Sequence, residues 1–248
     1  MGMIEISDLS VLRGSNKVLD GFSLTVNEGE VVCLAGENGC GKSTVIEAAA
    51  GLISLENGTS HISGQLIRDS EGRRGRTKFG LCLQDDCVMG DELVGERIMD
   101  AAEFNFDVSA FLDDWNLKHR THDRIAVLSG GQRRKVAVMS GIIPALVSKE
   151  PVAVLLDEPD SGLDSNSIEH LSQCLRNLAA GGHAILIASH EPMIIDSADR
   201  VVYFPFDEEK NTPPAGKFEQ VKTISQRKPM VGHRLNLRTS SGFANNGI

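Results

Sequence analysis

A glycine-rich turn, GENGCGKST at residues 36–44, limits the possible folds of this chain more than any other segment. It follows an apolar run at residues 31–35 and leads into a helical pattern at residues 42–51 that closes on a glycine. Glycine allows successive backbone N–H groups to face one anion, and the positive end of the helix dipole adds to that attraction. The segment therefore predicts a phosphate-binding turn between a buried strand and a helix.

Two side chains of this turn have predicted roles of their own. Lys42 can reach the β- and γ-phosphates of a nucleotide, and Ser43 can ligate Mg²⁺. The predicted nucleotide-binding residues of the turn are Gly36, Glu37, Asn38, Gly39, Cys40, Gly41, Lys42, Ser43 and Thr44. Cys40 stands at a helix N-terminus, where a thiol is prone to oxidation or alkylation, although a small residue that simply fits explains it as well.

A pair of acids follows the apolar strand pattern at residues 152–156. Asp157 and Glu158 are therefore expected at the C-terminal edge of a parallel sheet, the edge that also carries the phosphate-binding turn. Asp157 suits a second group associated with Mg²⁺, and Glu158 suits a general base or a residue that polarises water.

A second turn, LSGGQ at residues 128–132, also opens into a helix. Its residues Ser129, Gly130, Gly131 and Gln132 predict another anion-binding helix N-terminus. One nucleotide does not need two such sites from one chain, so this turn must serve another purpose.

Strands and helices alternate over most of the chain, which predicts an α/β fold with a largely parallel sheet covered by helices. Predicted strands cover residues 4–12, 18–26, 31–35, 61–67, 78–83, 152–156, 184–188 and 200–204. A helical, aromatic segment at residues 92–117 is expected to form the core of a small subdomain, and the basic loop between residues 67 and 78 a solvated hairpin tip. Pro144 is expected to end or kink the helix that follows LSGGQ.

Composition excludes several classes of protein. No apolar run approaches the roughly 18 residues of a membrane span, and the N-terminus does not resemble a secretory leader. Five irregularly spaced cysteines suit reduced thiols in a cytoplasmic protein. A net charge of -9 argues against a nucleic-acid partner.

A change of composition near residue 207 predicts a domain boundary. The segment 207–248 is basic, with seven Lys or Arg against a single acid between residues 210 and 248. It either contacts anionic lipid or a partner, or is a solvated extension.

Five motifs together resemble those of an ATP-binding cassette (ABC) ATPase over about residues 3–206. In chain order they are GENGCGKST, the glutamine of LCLQDD, LSGGQ, LLDEPDSGLD and IASH. The resemblance implies a P-loop NTPase of RecA-like fold with a mostly parallel sheet core. It also implies an N-terminal antiparallel β subdomain and a small helical subdomain at about residues 90–140, so that residues 1–206 form the nucleotide-binding domain.

The resemblance also implies roles for particular residues. Gln84 matches the glutamine that senses Mg²⁺ or the attacking water, Asp157 the Walker B aspartate, and Glu158 the catalytic glutamate. His190 matches the switch histidine of the γ-phosphate, and Asp164 belongs to the D-loop that communicates across a dimer. The LSGGQ residues match the signature motif, which closes over ATP held by a second subunit.

Several positions depart from the family pattern, and Arg13 is the one nearest the predicted base. The family commonly stacks an aromatic side chain on adenine shortly after the first strand, where this chain has Arg13. A guanidinium can also stack on a base, and a solvated Arg13 is an equally good interpretation.

The function implied by the resemblance is that of an ATP-binding and ATP-hydrolysing subunit of an ABC transporter. Such a subunit uses Mg²⁺ and ATP, pairs with a second cassette, and drives a separate transmembrane permease from the cytoplasmic face of the membrane. The alternative is a soluble ABC ATPase that drives macromolecular assembly, as in iron-sulfur assembly. A generic P-loop kinase is a weaker third interpretation because it would not carry LSGGQ.

Overall fold

The computed structural model of the chain describes residues 2–84, 90–102 and 106–204. The strands are β1 (Ile4–Arg13), β2 (Asn16–Val26), β3 (Val31–Gly36), β4 (Asn57–Ile62), β5 (Gln65–Asp69), β6 (Gly80–Cys82), β7 (Ala153–Asp157), β8 (Ala184–Ala188) and β9 (Arg200–Phe204). The helices are α1 (Lys42–Ala49), α2 (Val94–Ala102), α3 (Val108–Asp114), α4 (Gly130–Val147), α5 (Ser165–Ala180) and α6 (Pro192–Ser197). The predicted boundary at residue 207 and the basic segment lie outside the described residues.

A parallel sheet of five strands, in the order β6-β7-β8-β3-β9, forms the centre of the fold. Every residue of β7 and β8 is buried, since both faces of the sheet are covered. Leu156 and Ile187 belong to the core on one face, together with α4 and α5. Leu155 and Leu186 belong to the core on the other face, together with α1. The predicted parallel, helix-covered sheet is therefore confirmed.

A second sheet is antiparallel and has the strand order β2-β1-β4-β5. Its apolar face shares one core with α1 and the parallel sheet. The rings of Phe22 on β2 and Phe204 on β9 lie 5.4 Å apart and join the two sheets. The N-terminal antiparallel sheet implied by the family resemblance is present.

The described residues of the predicted aromatic segment include α2 and α3, which pack into the core. Phe111 on α3 and Trp115, which follows it, are buried against residues of α2 and α4. Phe106 packs edge-on against Phe111 at 5.1 Å between ring centroids. Phe104 lies outside the described residues.

One strand prediction was wrong, and one loop prediction holds only in part. Residues 61–67 do not form one strand, because Ser63 and Gly64 have φ of 51° and 72° and make the two-residue turn between β4 and β5. The next strand, β6, belongs to the parallel sheet and does not pair with β5. The basic loop itself turns back as an exposed hairpin tip, because Arg68 and Arg74 form an antiparallel bridge.

Pro144 does not end its helix, because α4 continues to Val147. A proline inside a helix forfeits one backbone hydrogen bond. The residues around it, Ile142, Ile143 and Ala145, are fully buried, and their packing offsets that loss. None of the helices in the described part of the chain is long and apolar enough to cross a membrane.

Candidate nucleotide-binding and hydrolytic site

The turn between β3 and α1 has the backbone shape expected of a phosphate-binding loop. Gly36 and Gly41 have φ of 145° and 111°. Residues with a Cβ atom rarely adopt such values. A Cβ atom added at Gly36 would lie 2.5 Å from the carbonyl oxygen of Phe204. Glycine is therefore required where β3 leaves the sheet beside β9. Glu37, Asn38 and Gly39 are exposed at the tip of the turn.

The ammonium group of Lys42 lies inside this turn. Only 3% of the residue is exposed, and its Nζ donates hydrogen bonds of 2.8 Å to the carbonyl oxygens of Gly36 and Glu37. The Sγ atom of Cys40 is 3.8 Å from the same nitrogen. The positive charge is thus held by the loop that is predicted to surround phosphate. Thr44 is buried in the first turn of α1.

Ser43 and Asp157 meet although 114 residues separate them in the chain. The Ser43 hydroxyl donates to Asp157 Oδ1 at 3.0 Å. Burial raises the pKa of Asp157 to about 6, and the nearby carboxylates of Glu158 and Glu47 act in the same direction. The Ser43 hydrogen bond and the charge of Arg134 oppose this rise. A nearby cation would therefore stabilise the ionised form of the Asp157 carboxyl group.

The chemistry of these groups fits Mg²⁺, which prefers oxygen ligands and usually retains water and phosphate oxygens. Ser43 and Asp157 supply two protein oxygens in contact with each other. Among the described residues no group of three or more His, Cys, Asp or Glu side chains is arranged to hold an ion by itself. Ser43 and Asp157, with the amide oxygen of Gln84, are the residues that would hold it next to phosphate.

Glu158 and Gln84 form a second contact at the same edge of the sheet. Gln84 Nε2 donates to Glu158 Oε2 at 3.1 Å. Glu158 is buried, and its backbone has φ of 44°, which is unusual for a residue with a side chain. Its backbone N–H donates to the carbonyl oxygen of Ala188 at 2.8 Å, which ties the turn after β7 to the end of β8.

His190 follows β8 at this edge. Asp157 and Ala188 are register partners, so the two strands end side by side. The His190 side chain is exposed, whereas Ser189 before it is buried. The structure thus brings the end of β8 to the acidic pair and leaves the imidazole at the surface.

The LSGGQ turn caps the helix α4. The backbone N–H of Gln132 donates to Ser129 Oγ at 3.3 Å, and the backbone N–H of Ser129 donates to Gln132 Oε1 at 3.0 Å. This reciprocal pair is a capping box. Ser129 and Gly130 are exposed. The turn packs on the segment before α5, because a Cβ atom at Gly131 would lie 2.7 Å from the carbonyl oxygen of Gly162.

Comparison with known proteins identifies the family. The family profile described as ABC transporter matches residues 19–161 of this chain. The chain belongs to the ABC transporter ATP-binding family. It is therefore an ABC ATPase cassette, as the five motifs predicted, and its α/β fold is that of the family.

Relatives and solved structures agree with this assignment. The chain is 31% identical over 199 residues to the cytochrome c biogenesis ATP-binding export protein CcmA of Gluconobacter oxydans, covering 79% of this chain and 84% of CcmA. It is 30% identical over 232 residues to an ABC transporter ATP-binding/permease protein of Mycobacterium tuberculosis, covering 89% of this chain. It spans only 25% of the length of that protein, and 29% of the macrolide export protein MacB of Psychrobacter cryohalolentis.

Two solved structures share the fold. The ATP-binding subunit of an ABC transporter superposes with a TM-score of 0.67 at 25% identity, over 81% of this chain and 85% of the other. A dimeric bacterial ABC transporter cassette superposes with a TM-score of 0.66 at 20% identity, over 81% of this chain and 94% of the other.

Two predicted nucleotide residues of the cassette have local partners. Arg13 on β1 forms an ion pair with Glu47 on α1, which sets its guanidinium beside the helix that begins at the phosphate-binding turn. Asp164 caps α5 by accepting from the Ser167 N–H at 2.9 Å, and it pairs with Lys135 at 3.3 Å. The hydrogen bonds from Ser167 lower the pKa of Asp164.

Two residues of the cassette site were missed in the sequence. Asp160 is buried next to Ser189, and burial raises its pKa while the Ser189 hydrogen bond opposes the rise. Arg134 is buried on α4, and its guanidinium contacts carbonyl oxygens of the loops that carry Gln84 and Glu158. Asp160 lies within the motif LLDEPDSGLD and Arg134 lies two residues after LSGGQ, but neither position shows in the sequence that its charged side chain is buried.

Proposed function

We propose that the cassette is the ATP-hydrolysing subunit of an ABC transporter, which uses Mg²⁺ and works as a pair of cassettes. The proposal rests on two side-chain hydrogen bonds at the same edge of the parallel sheet. Ser43 bonds to Asp157 at 3.0 Å, and Gln84 bonds to Glu158 at 3.1 Å. The first contact supplies ligands for a cation, and the second holds a buried carboxylate in place. A nucleotide site with both features is equipped for hydrolysis as well as binding.

Each residue has a distinct task in this proposal. The Lys42 ammonium and the backbone N–H groups of the turn bind the β- and γ-phosphates of ATP. Glu158 orients the attacking water and accepts its proton, while Gln84 keeps the Glu158 carboxylate aligned. Bound Mg²⁺ would offset the negative charge that develops on the phosphate oxygens. His190, which follows β8 at the same sheet edge, is assigned to contact the γ-phosphate.

The LSGGQ turn would complete the site of another cassette. Ser129 and Gly130 are exposed at the N-terminus of an 18-residue helix, where they can approach a phosphate from outside. Asp164 is exposed close to this turn and would contact the partner. ATP then joins two chains, and hydrolysis releases them, so that each cycle opens and closes the pair.

The motion of the pair would be passed to a separate transmembrane permease at the cytoplasmic face of the membrane. We assign the docking surface to the region of Gln84 and residues 92–117, where Met99 on α2 is an exposed apolar side chain. The relatives named as export or permease-associated ATP-binding proteins favour transport over a soluble assembly function. In this scheme residues 1–206 form the cassette, residues 90–140 its helical subdomain, and residues 207–248 a basic extension.

A comparison of Glu158→Gln with Glu169→Gln tests the proposal. Glu169 is exposed on α5 and lies outside the proposed site, so its variant controls for the loss of one carboxylate. We expect the Glu158 variant to bind ATP, to lose hydrolysis, and to elute as a dimer in ATP during size-exclusion chromatography. It should also retain a permease on purification from detergent-solubilised membranes. Unchanged hydrolysis in Glu158→Gln, or a monomer in ATP, would contradict the proposal.

A further inference from the structure

Arg134 joins two catalytic loops through its side chain. It lies on α4, five residues after Ser129, and only 4% of it is exposed. One terminal nitrogen donates to the carbonyl oxygens of Leu83 and Gln84 at 2.6 and 3.2 Å. The other donates to the carbonyl oxygens of Asp157 and Glu158 at 2.6 and 2.7 Å.

Only arginine can make this arrangement with one side chain. The guanidinium is planar and presents donors along two edges, so each terminal nitrogen serves a different loop. Lysine offers one point charge on a flexible stem and cannot reproduce this geometry. The carbonyl oxygens also compensate the buried charge, because hydrogen bonds to an ionised donor are stronger than those between neutral groups.

The two loops that Arg134 joins carry the side chains that meet in the site. Gln84 reaches Glu158 at 3.1 Å only if the end of β6 and the turn after β7 keep their separation. Glu158 has a backbone φ of 44°, a conformation that persists where several contacts hold it. Its carbonyl oxygen accepts from Arg134 and also from the Ser161 N–H at 3.0 Å.

We propose that Arg134 is a positioning residue for ATP hydrolysis, which aligns Gln84 with Glu158 by holding the backbones of both loops. The same side chain connects α4, which Ser129 caps, to the backbone of the residue that carries the proposed catalytic carboxylate. This inference rests on the proposed hydrolytic function of the cassette.

The first test compares Arg134→Met and Arg134→Lys with Arg68→Met. Arg68 is a matched control, since it is 6% exposed and donates to the Gly51 carbonyl oxygen at 3.4 Å and to Ser54 Oγ at 3.0 Å in another part of the fold. Arg134→Met should lower kcat roughly 10- to 100-fold with KM for ATP nearly unchanged. Arg134→Lys should recover part of kcat. A kcat loss no greater than that of Arg68→Met at equal thermal stability would overturn the inference.

A double-mutant cycle with Gln84→Ala separates positioning from general stability. If Arg134 acts through the contact of Gln84 with Glu158, its substitution should cost much less kcat once Gln84 is alanine. Independent structural effects would instead multiply. Multiplication of the two kcat losses would therefore reject the positioning role.

Hydrogen exchange tests whether Arg134 holds the backbones of the two loops, and it does not depend on ATP hydrolysis. In Arg134→Met, backbone amides of residues 80–84 and 157–161 should exchange faster together, whereas Arg68→Met should leave both segments protected. Unchanged exchange at both segments in Arg134→Met would show that Arg134 does not hold the two loops. A wild-type protein without ATPase activity would reject the proposed function, yet the exchange result would still decide whether Arg134 holds the two loops.

Discussion

Two helix N-termini of this cassette are suited to anions, but their surroundings differ. At the start of α1, Lys42 is buried, and Ser43 contacts Asp157 from a strand far along the chain. At the start of α4, Ser129 is exposed and bonds only to Gln132 among the hydrogen bonds described for its side chain and amide. The first end is built into the proposed catalytic site, whereas the second is capped locally and faces outward. The proposed division of the site between two chains requires this contrast.

Substitution of Lys42 should produce the largest effect on nucleotide binding. Lys42→Met removes the cation inside the turn, so the Kd for ATP should rise about 10- to 100-fold, the value of one or two charged hydrogen bonds. Titration of a fluorescent ATP analogue measures this change. Wild-type affinity in the variant would mean that the buried turn is not the main phosphate site.

The raised pKa of Asp157, which contacts the start of α1, predicts that the free energy of unfolding depends on pH. Because the folded pKa is raised to about 6, the unfolded chain releases this proton at lower pH, and stability falls as pH rises through that interval. Without Mg²⁺ or ATP, the free energy of unfolding should fall between pH 4 and 7 by about 1 to 3 kcal/mol less in Asp157→Asn than in the wild type. Urea unfolding of both proteins at several pH values checks it. Parallel pH profiles would contradict the prediction.

The exposed end should respond differently to loss of its cap. Ser129→Ala should cost about 1 kcal/mol of folding free energy and also lower the ATP-dependent dimer fraction. Asp107→Ala is the matched control, because Asp107 caps α3 by accepting from the Ala110 N–H at 3.0 Å. Both variants should lose similar thermal stability, but only Ser129→Ala should weaken the dimer in sedimentation. Equal dimer fractions would show that the α4 terminus does not meet a partner.

Cys40 offers the smallest and most local probe. It is partly exposed, whereas Cys33, Cys82 and Cys174 are buried. Its thiol adjoins Lys42, so bound ATP should slow maleimide labelling of Cys40 severalfold, with Cys40→Ser as the blank. Labelling at the same rate with and without ATP, together with intact hydrolysis after labelling, would remove Cys40 from the nucleotide site.

Most of the fold was predictable because its signals are local. The apolar runs that became β3, β7 and β8 lie between both cores of the protein, so they had to be continuous. The β4–β5 turn was missed because Ser63 and Gly64 resemble an ordinary polar interruption of a strand. Whether α4 would end at Pro144 or continue past it could not be decided from the sequence, because packing, which outweighs propensity there, cannot be seen in a local window.

By itself the sequence determined the family, the glycine-rich turn between a strand and a helix, and the acidic pair at a strand end, since each depends on residue types at short, constrained spacings. Only the tertiary structure decided which side chains meet. Gln84 contacts Glu158 across 74 residues, and the exposed Arg13 side chain pairs with Glu47. It also showed that Arg134, one of three consecutive basic residues, is buried between two loops. Such contacts depend on the packing of distant strands, which no local pattern records.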